Sequence, residues 1–417
     1  MKTWKRSLRS ILMSIGLIVG LMLSTQSIFA QGNMHYGRLN VKPIISSSIS
    51  HESNVFSDAD NEIEDTIFVL NPGIILEYKD DGNIPGNYFS SGYDLKLASY
   101  FKQNNNNYQA HKPYLSFGLR TPTGFFTRFS ERYMKTADPY GSKNTYGRGT
   151  RTARSENTID ITFGHYFTDR LSIETMYKNF AIRYRDARDQ HQDRTDNEFS
   201  LSTYLLLTNS RKTSLLAEYR LTNGSYDRQP SDTSEDHNIN TFLVGFRFEP
   251  GGKLIGSAKL GFENKSFDNS KAVFQNNEYS YEDNSTWVLE TNIVFQMSDI
   301  TNFHFQFIRS IEGSPDKDAA SYVDTNIGCD VRHQVHHKTF FNSGLNWINS
   351  DYRDERNGLP NKYFNIYKLY MGFEYNMKEW LKITGRYLYE TKTASHTRYY
   401  SSEYSGNSLL FGMDASF

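Results

Sequence analysis

The sequence predicts an all-β protein, a transmembrane antiparallel up-and-down β-barrel of about 18 strands. Three observations support this fold. Segments of alternating apolar and polar residues recur along the chain, and polar connections of short and long length separate them in turn. Aromatic residues reach 15% although only 37% of the residues are hydrophobic. An apolar outer face, a polar lumen and aromatic girdles would explain this composition.

The N-terminal residues have the pattern of a secretory signal peptide. Lys2, Lys5 and Arg6 precede an apolar run at residues 11–23. A short segment then leads to Ala30, the last residue before the expected cleavage site. The run is shorter than the roughly 20 residues of a transmembrane helix. We therefore expect a signal peptide at residues 1–30, a periplasmic tail at 31–38 and the barrel at 39–417. A retained anchor helix is the alternative.

The alternation of apolar and polar residues predicts the strands one after another. Successive side chains of a strand point to opposite faces, so that one face would meet lipid and the other water. The pattern continues to Phe417, with Leu410 as the exception. Examples of the apolar positions are Tyr93, Leu95, Leu97, Ile159, Ile161, Phe163, Phe242, Val244, Phe246, Leu369, Met371, Phe373, Leu409, Phe411 and Met413.

The connections between these segments follow the rhythm of a bacterial outer-membrane barrel, with short periplasmic turns and longer external loops. This arrangement predicts an even number of strands with both termini in the periplasm. Residues 104–107 break the rhythm, because they form a short connection on the external side. The short connections are 122–124, 168–170, 208–211, 249–252, 298–301 and 376–379, and the longer ones are 135–155, 185–196, 223–237, 268–283, 312–320, 351–360 and 392–405.

The composition excludes several other classes of protein. After residue 30 no stretch of about 18 apolar residues occurs, which excludes a helical membrane protein. The net charge of −1 gives no support to nucleic-acid binding. The single cysteine, Cys329, cannot form an internal disulfide. We expect the outer membrane as the location, and membrane lipid and lipopolysaccharide as partners.

Charged residues on the polar face of the strands are the candidate pore-lining residues. As a charged lining they would select solutes by sign, and a slight basic excess favours anions. The alternative, which the mixture of signs favours, is pairing across neighbouring strands that fills the interior. The candidates are Lys96, Arg120, Arg128, Arg132, Arg220, Arg247, Arg386, Asp160, Glu174, Glu218, Glu290 and Glu374, and the same face carries Lys178, Lys259, Lys382, Asp94 and Glu263.

Two predicted external loops are strongly charged. Residues 58–65 include five carboxylates, Asp58, Asp60, Glu62, Glu64 and Asp65. Their oxygens could bind Ca²⁺. A solvated acidic loop is favoured, because the spacing is not that of an EF-hand. Residues 135–155 carry Lys143, Arg148, Arg151 and Arg154. These cations would contact lipopolysaccharide phosphates or an acidic glycan, or would simply be solvated.

Enzymatic and metal chemistry have little support in the sequence. His333, His336 and His337 lie in a predicted periplasmic turn, but no further ligand is identifiable for a transition metal. No Gly-x-Ser-x-Gly elbow and no phosphate-binding glycine loop occurs. We therefore expect no catalytic residues and no cofactor. Trp347 and Trp380 are expected in the interface girdles, with sugar stacking as the alternative.

The predicted first hairpin resembles a known family. Pro43-Ile44-Ile45 leads into residues 50–56, an acidic loop follows, and Val69-Leu70-Asn71-Pro72-Gly73 comes next. This resembles the opening of β-barrel porins encoded with capsule and exopolysaccharide gene clusters. In that family the first strand ends in a Tyr-Asp-Ser-Asn-type motif, where this sequence has His51-Glu52-Ser53-Asn54. The resemblance implies an outer-membrane pore for polysaccharide export or assembly, without catalytic residues.

Three functions remain open at this stage. The first is a passive conduit for polysaccharide export or for diffusion of small polar solutes, because about 18 strands leave an aqueous lumen. The second is a non-conducting structural or adhesive barrel whose lumen is plugged by paired charges and loops. The third, an outer-membrane enzyme, is the weakest. The solute, the direction of flow and the oligomeric state do not follow from the sequence.

Overall fold

The computed structural model describes most of the chain beyond residue 33. The described residues are 34–79, 87–138, 152–186, 190–207, 213–229, 234–249, 251–269, 271–274, 277–280, 283–313, 321–352, 362–395 and 403–417. They form β-strands and two single-turn 3₁₀ helices, Asn104–Asn106 and Gln190–Gln192. Within this part of the chain, no helix is long and apolar enough to cross a membrane.

The wall is a closed antiparallel barrel of 18 strands. The strands are β1 (Leu39–Glu52), β2 (Asp65–Lys79), β3 (Tyr88–Tyr100), β4 (Tyr108–Arg120), β5 (Phe125–Thr136), β6 (Arg154–Tyr166), β7 (Leu171–Tyr184), β8 (Arg194–Leu206), β9 (Thr213–Tyr226), β10 (His237–Phe248), β11 (Leu254–Phe267), β12 (Asn284–Ser298), β13 (Thr301–Gly313), β14 (Ser321–His336), β15 (Thr339–Tyr352), β16 (Lys362–Lys378), β17 (Leu381–Ala394) and β18 (Tyr404–Ser416).

Each strand pairs with the next along the chain, and β1 closes the barrel by pairing with β18. The seam runs from Ile44↔Ser416 to Glu52↔Ser408. The amide of Phe417 extends it by donating to the carbonyl of Pro43 over 2.9 Å. The predicted fold class and the predicted count of about 18 strands are confirmed.

Two smaller pieces of strand lie outside the wall. Met34–Tyr36 pairs back onto β1, so that part of the predicted tail at 31–38 is a short strand. Lys271–Phe274 and Asn277–Ser280 form a hairpin in the long connection between β11 and β12.

The outer face of the barrel is apolar, as the alternation predicts. Large hydrophobic side chains remain exposed there in rows, among them Phe199, Leu201, Phe242, Leu260 and Leu345. An exposed face of this size would be unfavourable in water and is satisfied by lipid. The alternation of side chains along each strand therefore places apolar residues towards lipid and polar residues towards the lumen.

Aromatic side chains on the outer face donate to asparagines near the external end of the wall. Trp347 Nε1 donates to Asn365 over 3.1 Å, and the hydroxyl of Tyr219 donates to Asn240 over 2.7 Å. Trp380 lies at the other end, in the turn before β17, where it stacks on Phe417 with ring centroids 5.5 Å apart. These positions fit the girdle interpretation, since a ring with one polar tip suits each interface.

Some predicted connections differ in the structure. His333 and His336 belong to β14 and not to a periplasmic turn, which consists of residues 337 and 338 alone. The apolar alternation through Val331 and Val335 carries the strand further than the run of histidines suggests. The predicted turn at 208–211 lies outside the described residues, and so does most of the loop at 135–155.

The wall is interrupted between β12 and β13. Their pairing ends at Leu289↔Arg309, although β12 continues to Asn284 and β13 to Gly313. The outer end of β13 bends into the lumen and crosses in front of β12. The amide of Ile311 there donates to Glu263 Oε1, on β11, over 2.7 Å. A side-chain carboxylate thus replaces the missing ladder partner, because a buried amide without an acceptor is costly.

Candidate functional site

The lumen is the candidate functional site, and the register shows where the predicted residues lie. All of the candidate pore-lining residues are on the inner face of the wall, on the same face as the serines of β1. Lys96 lies on β3, Arg120 on β4, Arg128 and Arg132 on β5, Asp160 on β6, Glu174 on β7, Glu218 and Arg220 on β9, Arg247 on β10, Glu290 on β12, Glu374 on β16 and Arg386 on β17. Their part in solute passage remains a prediction.

One group of these residues forms a dense ionic network over β8 to β12. Arg220 is its centre and approaches Glu290 at 2.9 Å, Glu218 at 2.5 Å and Glu198 at 3.6 Å. Lys259 approaches Glu290 at 2.5 Å and Glu218 at 3.3 Å. Neighbouring strands supply these groups in register, for example Lys259↔Glu290. The network holds carboxylates and cations against each other and leaves little free charge.

A second network lies towards the periplasmic end. Glu174 accepts from Arg128 over 2.7 Å and contacts Arg247 at 3.4 Å, and Arg247 also contacts Glu249 at 2.8 Å. A cavity of about 290 Å³ adjoins these groups. Because Arg128 and Arg247 come from strands on either side of Glu174, the network ties β5, β7 and β10 together.

The inward bend of β13 fills the lumen above the first network. A Cβ atom added at Gly313 would lie 3.1 Å from Arg194 Nη1 and 3.6 Å from the Tyr226 hydroxyl, so this strand end reaches the inner faces of β8 and β9. Leu243 and Val288, on the inner face, are buried, with at most 1% of their surface exposed. Further round the wall, Tyr322 stacks on Tyr352 with ring centroids 4.7 Å apart. This part of the interior is packed and not open.

Another polar chain crosses the inner face between β12 and β17. His304 contacts Asn292 at 3.0 Å and Asp330 at 3.2 Å, and the Tyr370 hydroxyl donates to Asp330 over 2.7 Å. Arg386 lies 4.3 Å from the Tyr370 ring centroid. Alternation predicts the face of each of these residues but not their partners. We call β7 to β17, with these contacts, the filled side.

The opposite part of the interior, β18 and β1 to β4, is the hollow side. It contains a cavity of about 730 Å³. The first strand contributes Ser46, Ser48 and Ser50, whose side chains are short. The other lining residues that matter here are Asn71, Asp94, Lys96, Lys112, Tyr108, Glu52 and Leu410. Leu410, the exception in the last alternating segment, faces this cavity.

The acidic loop at 58–65 follows Val55 and Ser57, which line the cavity of the hollow side. Asp58 Oδ1 accepts from the amides of Asp60 and Asn61, at 3.0 and 2.9 Å. The buried Asp65 accepts from the amides of Lys102 and Gln103, at 2.9 and 2.8 Å. These carboxylates are occupied in holding the loop. Lys102 donates to Glu64 and lowers the pKa of that exposed carboxyl.

The other predicted clusters have structural partners of their own. Arg154, from the basic loop, is buried between Asp138 at 2.8 Å and Glu156 at 2.6 Å, whereas Lys143, Arg148 and Arg151 lie outside the described residues. His336 and His337 contact each other at 3.1 Å. Over the described ranges, no group of three or more His, Cys, Asp or Glu side chains could hold a metal ion.

Comparison with known sequences decides the family. The family described as "Putative beta-barrel porin 2" matches residues 29–417. The chain belongs to this family. No curated protein matches this porin.

Solved structures of outer-membrane barrels are similar to this porin at low sequence identity. The outer membrane protein OpdK from Pseudomonas aeruginosa is 10% identical, with a TM-score of 0.49, and the match covers 90% of this chain and 99% of that chain. OccK2 (OpdF) from the same organism is 9% identical, with a TM-score of 0.49, over 91% and 98% of the two chains. The siderophore receptor PirA from Pseudomonas aeruginosa is 7% identical, with a TM-score of 0.41, over 90% and 80%.

Family membership and the closed apolar wall together locate this porin in the outer membrane, where its outer face contacts lipid. That the short turns and both ends of the wall lie on the periplasmic side, as is usual for barrels of this class, remains a prediction.

Proposed function

We propose that the protein is a passive pore through which small polar solutes cross the outer membrane along the hollow side of the lumen. The observation that carries this proposal is the cavity of about 730 Å³ beside β1 to β4. Its volume lies within the roughly 300–1,000 Å³ of pockets that accept small ligands. The filled side supplies rigidity, because its charges pair with one another.

Glycan passage during capsule or exopolysaccharide export is a second candidate. The hydroxyls of Ser46, Ser48 and Ser50 and the amide of Asn71 line the cavity. Such groups exchange hydrogen bonds with sugar hydroxyls. The resemblance of the first hairpin to porins of polysaccharide gene clusters supports the same candidate. No catalytic step is part of either proposal.

Conductance in a planar bilayer tests the pore. The protein without the predicted signal peptide, residues 31–417, would be refolded and recorded with and without an anionic oligosaccharide. Stable open steps are expected for a pore, and their block by the oligosaccharide supports glycan passage. Open steps that the oligosaccharide leaves unchanged support small-solute diffusion. Silent membranes containing demonstrably folded protein would contradict the pore and support the plugged, structural barrel.

Cysteine labelling tests which side conducts. In a Cys329→Ser background, Ser48→Cys would place a thiol on the hollow side and Ser202→Cys a thiol on the filled side, where Ser202 is buried. A charged methanethiosulfonate reagent should modify the first variant and remove most of its current. The second variant should conduct unchanged after treatment. The reverse result would assign the conduction path to the filled side.

A further inference from the structure

We propose that the hollow side contains a binding site for a small polyhydroxylated carboxylate, a sugar acid of the uronate type. Its carboxylate would bind Lys96 and Lys112, and its hydroxyls would bind the serines of β1. The proposal rests on the proposed pore and specifies the class of solute that it favours.

The two lysines form a pair that faces the cavity. The register Asp94↔Lys112 and Lys96↔Ala110 makes Lys96 and Lys112 diagonal neighbours on adjacent strands. Side chains in this relation lie about 7 Å apart at their origins, so two flexible lysines can converge on one carboxylate. Both line the cavity.

These amines are available, in contrast to other lysines of the lumen. Lys42, Lys259 and Lys368 approach Glu77, Glu290 and Glu390 at 2.7, 2.5 and 2.7 Å. Among the residues that the structure describes, no carboxylate lies within ion-pair distance of Lys96 or Lys112. The contact of Lys96 is with an aromatic ring, that of Tyr108, at 5.4 Å from the centroid. Lys96 also attracts the carboxylate of Glu52, which lies beyond ion-pair distance. Both ammonium groups can therefore still form an ion pair with a solute.

Asp94, the acidic neighbour of Lys112, is turned away from it. A Cβ atom added at Gly73 would lie only 2.6 Å from Asp94 Oδ1, which shows that this carboxylate folds over the glycine of β2. Gly73 thus makes room for Asp94 on the side away from β4. Lys112 is on β4, so its ammonium group is not paired with the carboxylate of Asp94.

Two prolines interrupt the wall beside the same lysines. The pairing of β2 with β3 is broken between Leu70↔Leu97 and Gly73↔Asp94, around Pro72 and opposite Lys96. The pairing of β4 with β5 is broken between His111↔Lys135 and Tyr114↔Arg132, around Pro113 and beside Lys112. Proline cannot donate to a ladder and is rare within a sheet. Two such breaks flanking one cavity indicate a locally shaped site.

The rest of the cavity provides groups for hydroxyls. Asn71 Nδ2 donates to Ser46 Oγ over 3.1 Å, while the buried Asn71 Oδ1 has no hydrogen-bond partner within the described structure. A buried acceptor of this kind is costly unless a ligand or water donates to it. Asn71 Oδ1 is enclosed, so a sugar hydroxyl would reach it only if neighbouring side chains moved. Ser48 and Ser50 line the cavity on the same strand face as Ser46 and can exchange hydrogen bonds with sugar hydroxyls directly.

The remaining charges of the cavity limit the charge of the solute. Glu52 and Asp138 line its external end, and Asp138 is paired with Arg154 at 2.8 Å. Together with Asp94, these carboxylates repel a dianion more strongly than a monoanion. A carboxylate therefore fits better than a phosphate ester.

The test compares glucuronate with glucose. Titration calorimetry on the detergent-folded protein measures binding, and bilayer recording measures the concentration that blocks half of the current. Glucuronate should bind and block, and glucose should do so at least tenfold more weakly. Lys96→Gln and Lys112→Gln should each weaken glucuronate about tenfold, since a charged hydrogen bond is lost. Asp94→Asn should strengthen it, because a repelling carboxylate is removed.

Lys178→Gln is the matched control, since it removes the same charge from the inner face of β7, away from the cavity. It should leave glucuronate binding unchanged. Equal affinity for glucose and glucuronate, or an equal effect of all three lysine variants, would overturn the site. An open pore that does not bind glucuronate defeats this inference alone. A silent membrane with calorimetric binding that depends on Lys96 and Lys112 defeats the pore and leaves the site standing.

Discussion

The hollow side and the filled side of the lumen are made from the same kind of strand, yet their contents differ. On β1 the inner positions are held by short serines, and the lysines of β3 and β4 have no ion pair among the described residues. On β8 to β12 the inner positions carry long charged side chains that meet across strands, as in Arg220 with Glu290. The same alternation thus produces a passage in one place and a support in another. What differs is side-chain length and whether each charge has a partner in reach.

Arg220→Ala should have the largest effect on stability. Its removal leaves Glu198, Glu218 and Glu290 close together without their shared cation, which we expect to lower the free energy of unfolding by about 3 kcal/mol. Urea unfolding of the detergent-folded barrel measures this. Arg132→Ala is the control, because Arg132 pairs with Asp160 at 2.9 Å but its side chain is 66% exposed. A loss below about 1 kcal/mol is expected there. Equal losses would remove the distinction between the two environments.

Glu263→Ala should have the next largest effect. The buried amide of Ile311 loses its acceptor, at a cost of about 2 kcal/mol. The outer end of β13 should then be less firmly held within the lumen, and conductance should rise. Glu263→Gln keeps an acceptor oxygen and should change both quantities less. An unchanged conductance in the alanine variant would show that β13 is held in place by other contacts.

A pair of serine variants sharpens the comparison further. On the filled side, Ser350 donates to Asp324 over 2.8 Å, and both residues are buried. Ser350→Ala should therefore cost about 1.5 kcal/mol. Ser48→Ala, on the hollow side, should leave the unfolding midpoint within error. A large loss from Ser48→Ala would mean that the hollow side is packed by its hydroxyls.

Glu64→Gln should have the smallest effect. The hydrogen bond from Lys102 lowers the pKa of Glu64 from its ordinary value of 4.5. A lowered pKa favours the folded state above the unfolded pKa, and that contribution is lost as the pH falls through the folded pKa. Because the carboxyl is exposed, solvent screens the pair. We expect no measurable change in the unfolding midpoint at pH 7 or pH 3, in contrast to Arg220→Ala at pH 7.

The sequence predicts the wall better than it predicts the contents of the lumen. A period of two is a local property of one strand. The alternation therefore predicts that Leu369, Met371 and Phe373 share a face, even when the neighbouring strands are not known. The pairing of Glu174 with Arg247 depends on the two strands between them, β8 and β9, which no local pattern contains. The strand end at Gly313 bends inward because Glu263 accepts from Ile311, a contact that links residues distant in sequence.

Some features of the candidate site could have been predicted from the sequence by looking beyond the alternation of apolar and polar residues. Pro72 and Pro113 lie inside strand segments, where proline marks an edge or an irregularity. Those positions coincide with the two breaks in pairing beside Lys96 and Lys112. Gly73, which belongs to the family-like Pro-Gly motif, is the residue over which Asp94 folds.

The seam between β1 and β18 has a consequence for the order of folding. Ser50 and Leu410, which face the same cavity, are partners across this seam although they lie at opposite ends of the chain. Contacts between such distant residues form late, since the loop that they close is long. The cavity is therefore incomplete in any intermediate that lacks the last strand, because Leu410 forms part of its wall. Solute binding at Lys96 and Lys112 would accordingly report completed assembly, and a refolding experiment could use it as the signal for the final step.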